Sequence, residues 1–204
     1  MNQYSVNISA RSTRIEPRNS LDDFPTPPWA TRALMTHVLS DEDFSKTGVI
    51  EPACGRGHMS ETLKEYFSRV YSSDIFDYGY GKVADFLQSD YTPKSDWVIT
   101  NPPFKYAEEF IQKGLTSASI GVAVLVRTVF IESVGRYERL FSVNPPSFVA
   151  QFAERVPIVK GRLDRKVSSA TGYAWLVWHK KYNNASKVIW IPPCRSKLEV
   201  HSDY

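Results

Sequence analysis

The chain alternates between two hydrophobic rhythms. Short apolar runs at 48–50, 97–100, 121–126 and 148–152 read as strands, and 70–74 reads as another. The run 121–126 is apolar throughout, as expected of a buried central strand. Between the runs, apolar residues recur at helical spacing. Ala30, Ala33, Leu34, His37 and Val38 mark a helix from Pro28, a residue suited to a first helical position, to about Leu39. Met59, Leu63 and Tyr66 or Phe67 mark a second helix. Ala107, Phe110, Ile111, Leu115 and Ala118 mark a third, and 131–141 reads as a fourth. The segment 82–87 reads either as a short strand or as a loop. Two last runs, 173–178 and 187–191, read as a closing β-hairpin, and Pro192-Pro193 ends the regular structure. Strands interleaved with amphipathic helices make this an α/β chain.

Residues 1–23 show little periodicity and read as a flexible arm whose arginines (Arg11, Arg14, Arg18) belong in solvent more than on phosphate. A single domain is expected over 24–192, with 193–204 as a tail. The 204 residues are enough for one substantial core. No apolar run approaches the roughly 20 residues that span a bilayer, so no membrane partner is expected. The polar start lacks the apolar stretch of a secretory signal. Cys54 and Cys194 suit a reduced, cytoplasmic setting better than a disulfide framework. The four histidines are scattered without metal-site spacing, so no metal is expected. A net charge of +3 permits a nucleic-acid partner without arguing for one.

Candidate chemistry concentrates where strands end. Asn101-Pro102-Pro103-Phe104 follows the run 97–100, at the position where open α/β sheets place ligands. Two prolines stiffen the loop and remove two N–H donors, leaving carbonyls as acceptors. An amide, free carbonyls and an aromatic ring suit a planar amine: two acceptors for its hydrogens and a ring for its face. The isolated tetrapeptide is equally compatible with an ordinary turn. A second signal is the strand 48–50 running through Glu51-Pro52-Ala53-Cys54 into Gly55-Arg56-Gly57 and a helix. Such glycine turns let a nucleotide-like ligand approach a helix N-terminus. Ser60 stands where the third glycine of a phosphate fingerprint would be. Glu51 would repel a pyrophosphate but suits a ligand bearing an amino group or hydroxyls. Asp74, 17 residues past Gly57, is placed for ribose hydroxyls, and Asp85 follows as a third acid.

Arg127 ends the run 121–126 and reads either as a phosphate contact or as a structural ion-pair partner. The segment 154–172 carries Arg155, Lys160, Arg162, Arg165 and Lys166 against Glu154 and Asp164. It reads as a basic substrate loop on a phosphate backbone or as a solvated surface loop. The aromatics of the two last strands read as packing rather than as a base platform.

Four signals therefore occur in order: Phe24-Pro25-Thr26-Pro27, the Glu51 to Gly57 turn, Asp74 with Asp85, and Asn101 to Phe104. This order resembles S-adenosylmethionine-dependent amino methyltransferases, above all the DNA adenine-N6 class and its small phage or prophage-type members. The resemblance spans about 24–178. It implies a Rossmann-like class I methyltransferase fold: a mostly parallel seven-stranded sheet, helices on both faces, and an antiparallel end. It implies S-adenosylmethionine as cofactor. Thr26, Pro27, Glu51, Gly55 and Gly57 would line its methionine end, Asp74 would hold its ribose, and Asp85 its adenine amine. Asn101 and the Pro102 carbonyl would accept from the target amine, and Phe104 would stack on the target base. Pro103, Arg127, Arg162, Arg165 and Lys166 would contact substrate. The expected partner is nucleic acid, DNA favoured over RNA, with the base flipped from a duplex.

About 26 residues follow Trp178, too few for a separate target-recognition domain. Sequence specificity is accordingly expected to be low or confined to a short motif, and dimerisation stays open. Alternatives are an RNA adenine methyltransferase, cytosine-N4 or protein glutamine methylation, and a catalytically silent module that keeps the fold.

Overall fold

The computed structural model describes residues 22–88, 94–167, 169–182 and 185–204. The proposed arm therefore lies outside the described residues except for Asp22 and Asp23, as does Ser168 of the basic loop. In chain order the main elements are α1 (Pro28–His37), β1 (Gly48–Glu51), α2 (His58–Leu63), β2 (Arg69–Asp74), β3 (Lys82–Val83), β4 (Ser95–Thr100), α3 (Ala107–Ser117) and β5 (Ala118–Arg127). A short helical turn, α4 (Val134–Arg136), runs into a π-helical turn (Tyr137–Phe141). There follow β6 (Phe148–Phe152), β7 (Tyr173–His179), β8 (Lys187–Ile191) and α5 (Arg195–Leu198).

The strands form one sheet in the order β3-β2-β1-β4-β5-β7-β6-β8. From β3 to β5 all neighbours are parallel, while β7 is antiparallel to both β5 and β6. Alternation along the central strands builds a core on each face. Trp97, Ile99, Ala123 and Leu125 point to one side, with α1 and α2 residues such as Leu34 and Leu63. Val98, Val122, Val124 and Val126 point to the other, with Phe110 and Ile111 of α3 and Leu140. Helices thus cover both faces, as an α/β sheet buried on both sides requires.

Three expectations change in detail. The sheet has eight strands because Lys82–Val83 adds a two-residue edge beside β2. The last two strands are not neighbours: β6 lies between them, antiparallel to β7 and parallel to β8. Burial explains this order, since β7 is buried at all seven positions and needs a strand on each side, whereas β8 is an exposed edge. The helix expected from Ile131 begins at Val134, because Ser133 caps it by accepting from the Arg136 N–H. Thr128–Ile131 is a separate 3-10 turn.

Regular structure also continues past Pro193. The Glu154 carboxylate accepts the N–H groups of Cys194 and Arg195, starting α5. Arg32 of α1 then clamps the tail. Its guanidinium meets both oxygens of Glu65 at 2.8 and 2.6 Å, both of Asp203 at 2.9 and 3.0 Å, and the Leu198 carbonyl at 2.8 Å. Asp203 is buried, so Arg32→Ala would strand its carboxylate. A loss of about 3 kcal/mol is expected, lowering the melting temperature by at least about 6 °C, with no rescue by Arg32→Lys. A change below about 1 kcal/mol in denaturant unfolding would show that the tail docks without the clamp.

The sheet order reverses between β1 and β4: the chain runs outward through β2 and β3, then returns to the other side of β1. Ligand crevices open at the carboxyl ends of strands at such a reversal. Here those ends carry Glu51 on β1 and Asn101 just after β4.

Candidate active site

The β1–α2 turn is shaped by two glycines in the left-handed region, Gly55 at φ +50° and Gly57 at φ +86°. A side chain is strained at either. At Gly57 an added Cβ would also lie 2.6 Å from the Tyr80 ring. The Gly55 N–H donates to Asp74 Oδ2 at 2.9 Å, and the Phe76 N–H donates to Oδ1 at 3.0 Å. Asp74 thereby ties the glycine turn to the end of β2. The carboxylate keeps acceptor capacity for a ligand.

Glu51 is 2% exposed. The Ser60 hydroxyl donates to it and lies 2.6 Å from the Ser72 hydroxyl. Ser60, at the place of a third glycine, thus serves the carboxyl rather than a phosphate. Burial pushes the Glu51 pKa up to about 8, and the nearby Asp74 charge pushes the same way. Burial also raises the Asp74 pKa, against the pull of its backbone donors. Two carboxyls in one cleft each make the other harder to ionise, and a cation joining them would ease both.

The Asn101 amide is fixed from outside its own loop. Its Nδ2 donates to the Phe24 carbonyl at 2.9 Å. A carbonyl can only accept, so the nitrogen faces Phe24 and Oδ1 points the other way. Asn101 Oδ1 is buried and has no partner among the described residues. An unsatisfied buried acceptor costs about 1–3 kcal/mol, so the fold keeps it at a penalty. Pro102 is buried behind it. The Phe104 N–H donates to Asp22 Oδ2 at 2.8 Å. The Phe104 ring packs on Phe24, with centroids 5.3 Å apart, and carries the Arg127 guanidinium 3.9 Å from its centroid.

A cavity of about 490 Å³ joins these parts. Of the residues singled out from sequence, Thr26, Glu51, Gly55, Asp74, Asp85, Asn101 and Pro103 line it. Asp85 also accepts the Leu87 N–H at 2.9 Å. Pro27, Gly57, Pro102, Phe104 and Arg127 do not line it. Pro27 instead caps α1, its carbonyl accepting from Ala30. Gly57 starts α2.

The lining includes five carboxyl groups: Asp22, Asp23, Glu51, Asp74 and Asp85. Against them stand Arg56, paired with Asp23 at 3.4 Å, and His58, whose pKa burial lowers. The cavity therefore favours a cationic ligand. No group of three or more metal-ligating side chains occurs among the described residues.

Sequence reading overlooked the strap Asp22–Asp23–Phe24, which it divided between arm and motif. The strap touches Asn101 and Phe104. Its Asp23 pairs with Arg56, and the Asp23 carbonyl accepts the Gly161 N–H at 2.8 Å. The available signal was the proline-rich stretch after it, which holds the chain extended.

The basic loop is partly neutralised. Arg162 pairs with Asp164 at 3.0 Å, and Arg165 with Glu199 at 3.1 Å. Lys166 is exposed and its N–H caps Asp164. None of the three lines the cavity. The loop tip, Lys160-Gly161, lines a neighbouring hollow together with Asp23, Arg56 and Tyr78, which also line the cavity.

No family model and no curated protein matches this chain. Solved structures do. A candidate RNA methyltransferase from Pyrococcus horikoshii superposes with a TM-score of 0.60 at 17% identity, over 80% of this chain and 90% of that one. A type I restriction-modification methyltransferase subunit from Streptococcus thermophilus gives 0.58 at 14% identity, over 83% of this chain and 47% of that one. A dimethyladenosine transferase from Plasmodium falciparum gives 0.51 at 18%, over 76% and 61%. The chain has the Rossmann-like fold that these methyltransferases share.

Proposed function

We propose that this protein transfers the methyl group of S-adenosylmethionine to the exocyclic N6 amine of adenine in nucleic acid. The observation that carries the reading is Asn101 Oδ1: an oriented acceptor, without a partner among the described residues, at the wall of an acidic cavity. The volume of about 490 Å³ lies within the roughly 300–1,000 Å³ of small-molecule sites. The carboxyl-rich lining suits a ligand bearing an ammonium and a sulfonium.

Each part then has a task. Glu51 holds the amino end of the cofactor, with Thr26, Gly55 and the Gly57 turn shaping that end. Asp74 takes the ribose hydroxyls and Asp85 the adenine amine. When bound, S-adenosylmethionine supplies the reactive methyl on its sulfonium. An exocyclic amine is a poor nucleophile because its lone pair is delocalised into the ring. Asn101 Oδ1 and the Pro102 carbonyl, accepting its two hydrogens, draw the nitrogen toward tetrahedral geometry and localise that pair. Pro102 and Pro103 keep the acceptors rigid, which is where alignment contributes to rate. Phe104 offers the stacking face. The proton released from the methylated amine goes to solvent.

The order of the four sequence signals favours DNA, with Arg127 and the basic loop at the nucleic-acid side. The fold match over 90% of a candidate RNA methyltransferase supports RNA as the second reading.

Calorimetric titration with S-adenosylmethionine tests the cofactor half. One site is expected, and Asp74→Ala should raise its Kd by at least about tenfold. That factor corresponds to losing a charge-assisted hydrogen bond worth about 1.5–3 kcal/mol. Absence of binding by the wild-type protein would remove the reading.

A further inference from the structure

We propose that Arg127 is a placeholder for the target base. Its guanidinium fills the stacking place on Phe104 in the free protein and moves off the ring to the phosphate of the extruded nucleotide. The inference rests on the adenine-amine reading and adds a selection rule to it. The slot beside Asn101 takes a flat, delocalised group carried on an anionic backbone, in preference to a peptide side chain.

Arg127 stands at the end of β5, whose Val124 pairs with Thr100, the residue before Asn101. It therefore rises at the same rim as the Asn101 loop. Its guanidinium carbon lies 3.9 Å from the Phe104 centroid, at stacking distance. A guanidinium is planar and delocalised, as a nucleobase is. A base stacking on the same ring face would need the same space, so the two are mutually exclusive there.

The resting pose is incompletely satisfied. Arg127 Nε is buried with no acceptor among the described residues. No carboxylate pairs with Arg127 among those residues either, so it does not serve as a structural ion-pair partner. The Tyr173 side chain stands near it, from the position opposite across the β5–β7 register. A guanidinium with an orphan donor and no carboxylate at ion-pair distance among the described residues gains on meeting a phosphate, through charge-assisted bonds the ring cannot offer. The segment that follows is anchored to the end of the basic loop, with the Thr128 N–H donating to the Gly172 carbonyl at 2.9 Å. A nucleic-acid backbone lying along that loop would pass the side chain on its way out.

The test uses an adenine-containing oligonucleotide that the wild-type protein methylates, with free adenosine as a phosphate-free competitor. Arg127→Ala empties the slot and also removes the cation that would meet the phosphate, so the two ligands should respond in opposite directions. The oligonucleotide KM should rise about tenfold, and the slope of log affinity against log salt should fall by about one. The adenosine Ki should fall at least threefold. Arg127→Lys, which keeps the charge without the plane, should keep the salt slope and still lower the adenosine Ki. If either variant weakens both ligands together, or leaves the adenosine Ki unchanged, the placeholder is overturned and Arg127 is a packing residue. Absence of transfer by the wild-type protein to any oligonucleotide would overturn the adenine-amine reading, and the placeholder with it.

Discussion

Asn101→Ala is expected to reduce methyl transfer at least about 10³-fold while changing the S-adenosylmethionine Kd by less than about threefold. The split follows from where the amide sits. Its Nδ2 is spent on the Phe24 carbonyl, which fixes the direction of Oδ1, and Oδ1 has no partner to lose among the described residues. Removing a preorganised hydrogen-bonding group of this kind from a reacting centre costs roughly 10²–10³ in kcat. The second effect adds to the first: without Nδ2, the strap at Phe24 loses one of its two bonds to the Asn101–Phe104 loop. The cofactor would still meet Glu51, Asp74 and Asp85. Single-turnover transfer and calorimetric binding measured on the same preparation separate the two. Equal losses in both would refute the role assigned to Asn101.

The second large effect is that Glu51→Gln stabilises the ligand-free protein at neutral and alkaline pH while weakening cofactor binding at least about tenfold. Burial raises the Glu51 pKa in the folded chain to about 8, from an ordinary value of 4.5. The unfolded chain gives up this proton more readily, so the stability Glu51 contributes is complete below about pH 4.5. It is lost progressively as pH rises from there through about 8. By pH 7 the loss is on the order of 3 kcal/mol. Gln mimics the protonated form at every pH and escapes it. The melting temperature of the wild type should therefore fall relative to Glu51→Gln between pH 5 and pH 8, and the two should converge near pH 4.5. Binding should show the other side of the same charge. A cationic ligand favours ionised Glu51, so the ratio of wild-type to variant affinity should climb as pH rises from 6 to 8. Parallel melting curves across that range would show that folding does not raise the Glu51 pKa.

Such a conflict between stability and binding is expected of a carboxyl placed for a ligand rather than for the fold. Asn101 Oδ1 shows the same character, as a buried acceptor with no partner among the described residues. Both sit at the carboxyl ends of neighbouring strands, β1 and β4, where the sheet order reverses.

What could be read from sequence was what is local. A strand, a glycine turn and a helix lie within about 20 residues, and the Pro102-Pro103 stiffening lies beside the strand it follows. Both therefore emerged from spacing and backbone chemistry alone. The apolar run 121–126 announced a central strand for the same reason. What could not be read depends on long-range packing. The place of β6 between β7 and β8 follows from the two-sided burial of β7, which no alternation in 173–178 reveals. Asp164 was legible as an opposing charge within the basic loop, whereas Glu199 is recognisable as the partner of Arg165 only once the loop and tail are folded. The strap Asp22–Phe24 acts through two carboxylates, two carbonyls and a ring whose partners lie in the Arg56–Gly57 turn, the Asn101–Phe104 loop and the basic loop. Ser60 looked like a missing glycine, and its bond to Glu51 gives it a positive task.

The most direct measurement is transfer of labelled methyl from S-adenosylmethionine to matched double-stranded DNA, single-stranded DNA and RNA, followed by identification of the modified nucleoside. N6-methyladenine is the expected product, with DNA the better acceptor. Label on RNA alone would move the substrate to the second reading. Label on cytosine, or no label on any of the three by a protein that binds the cofactor, would contradict the account.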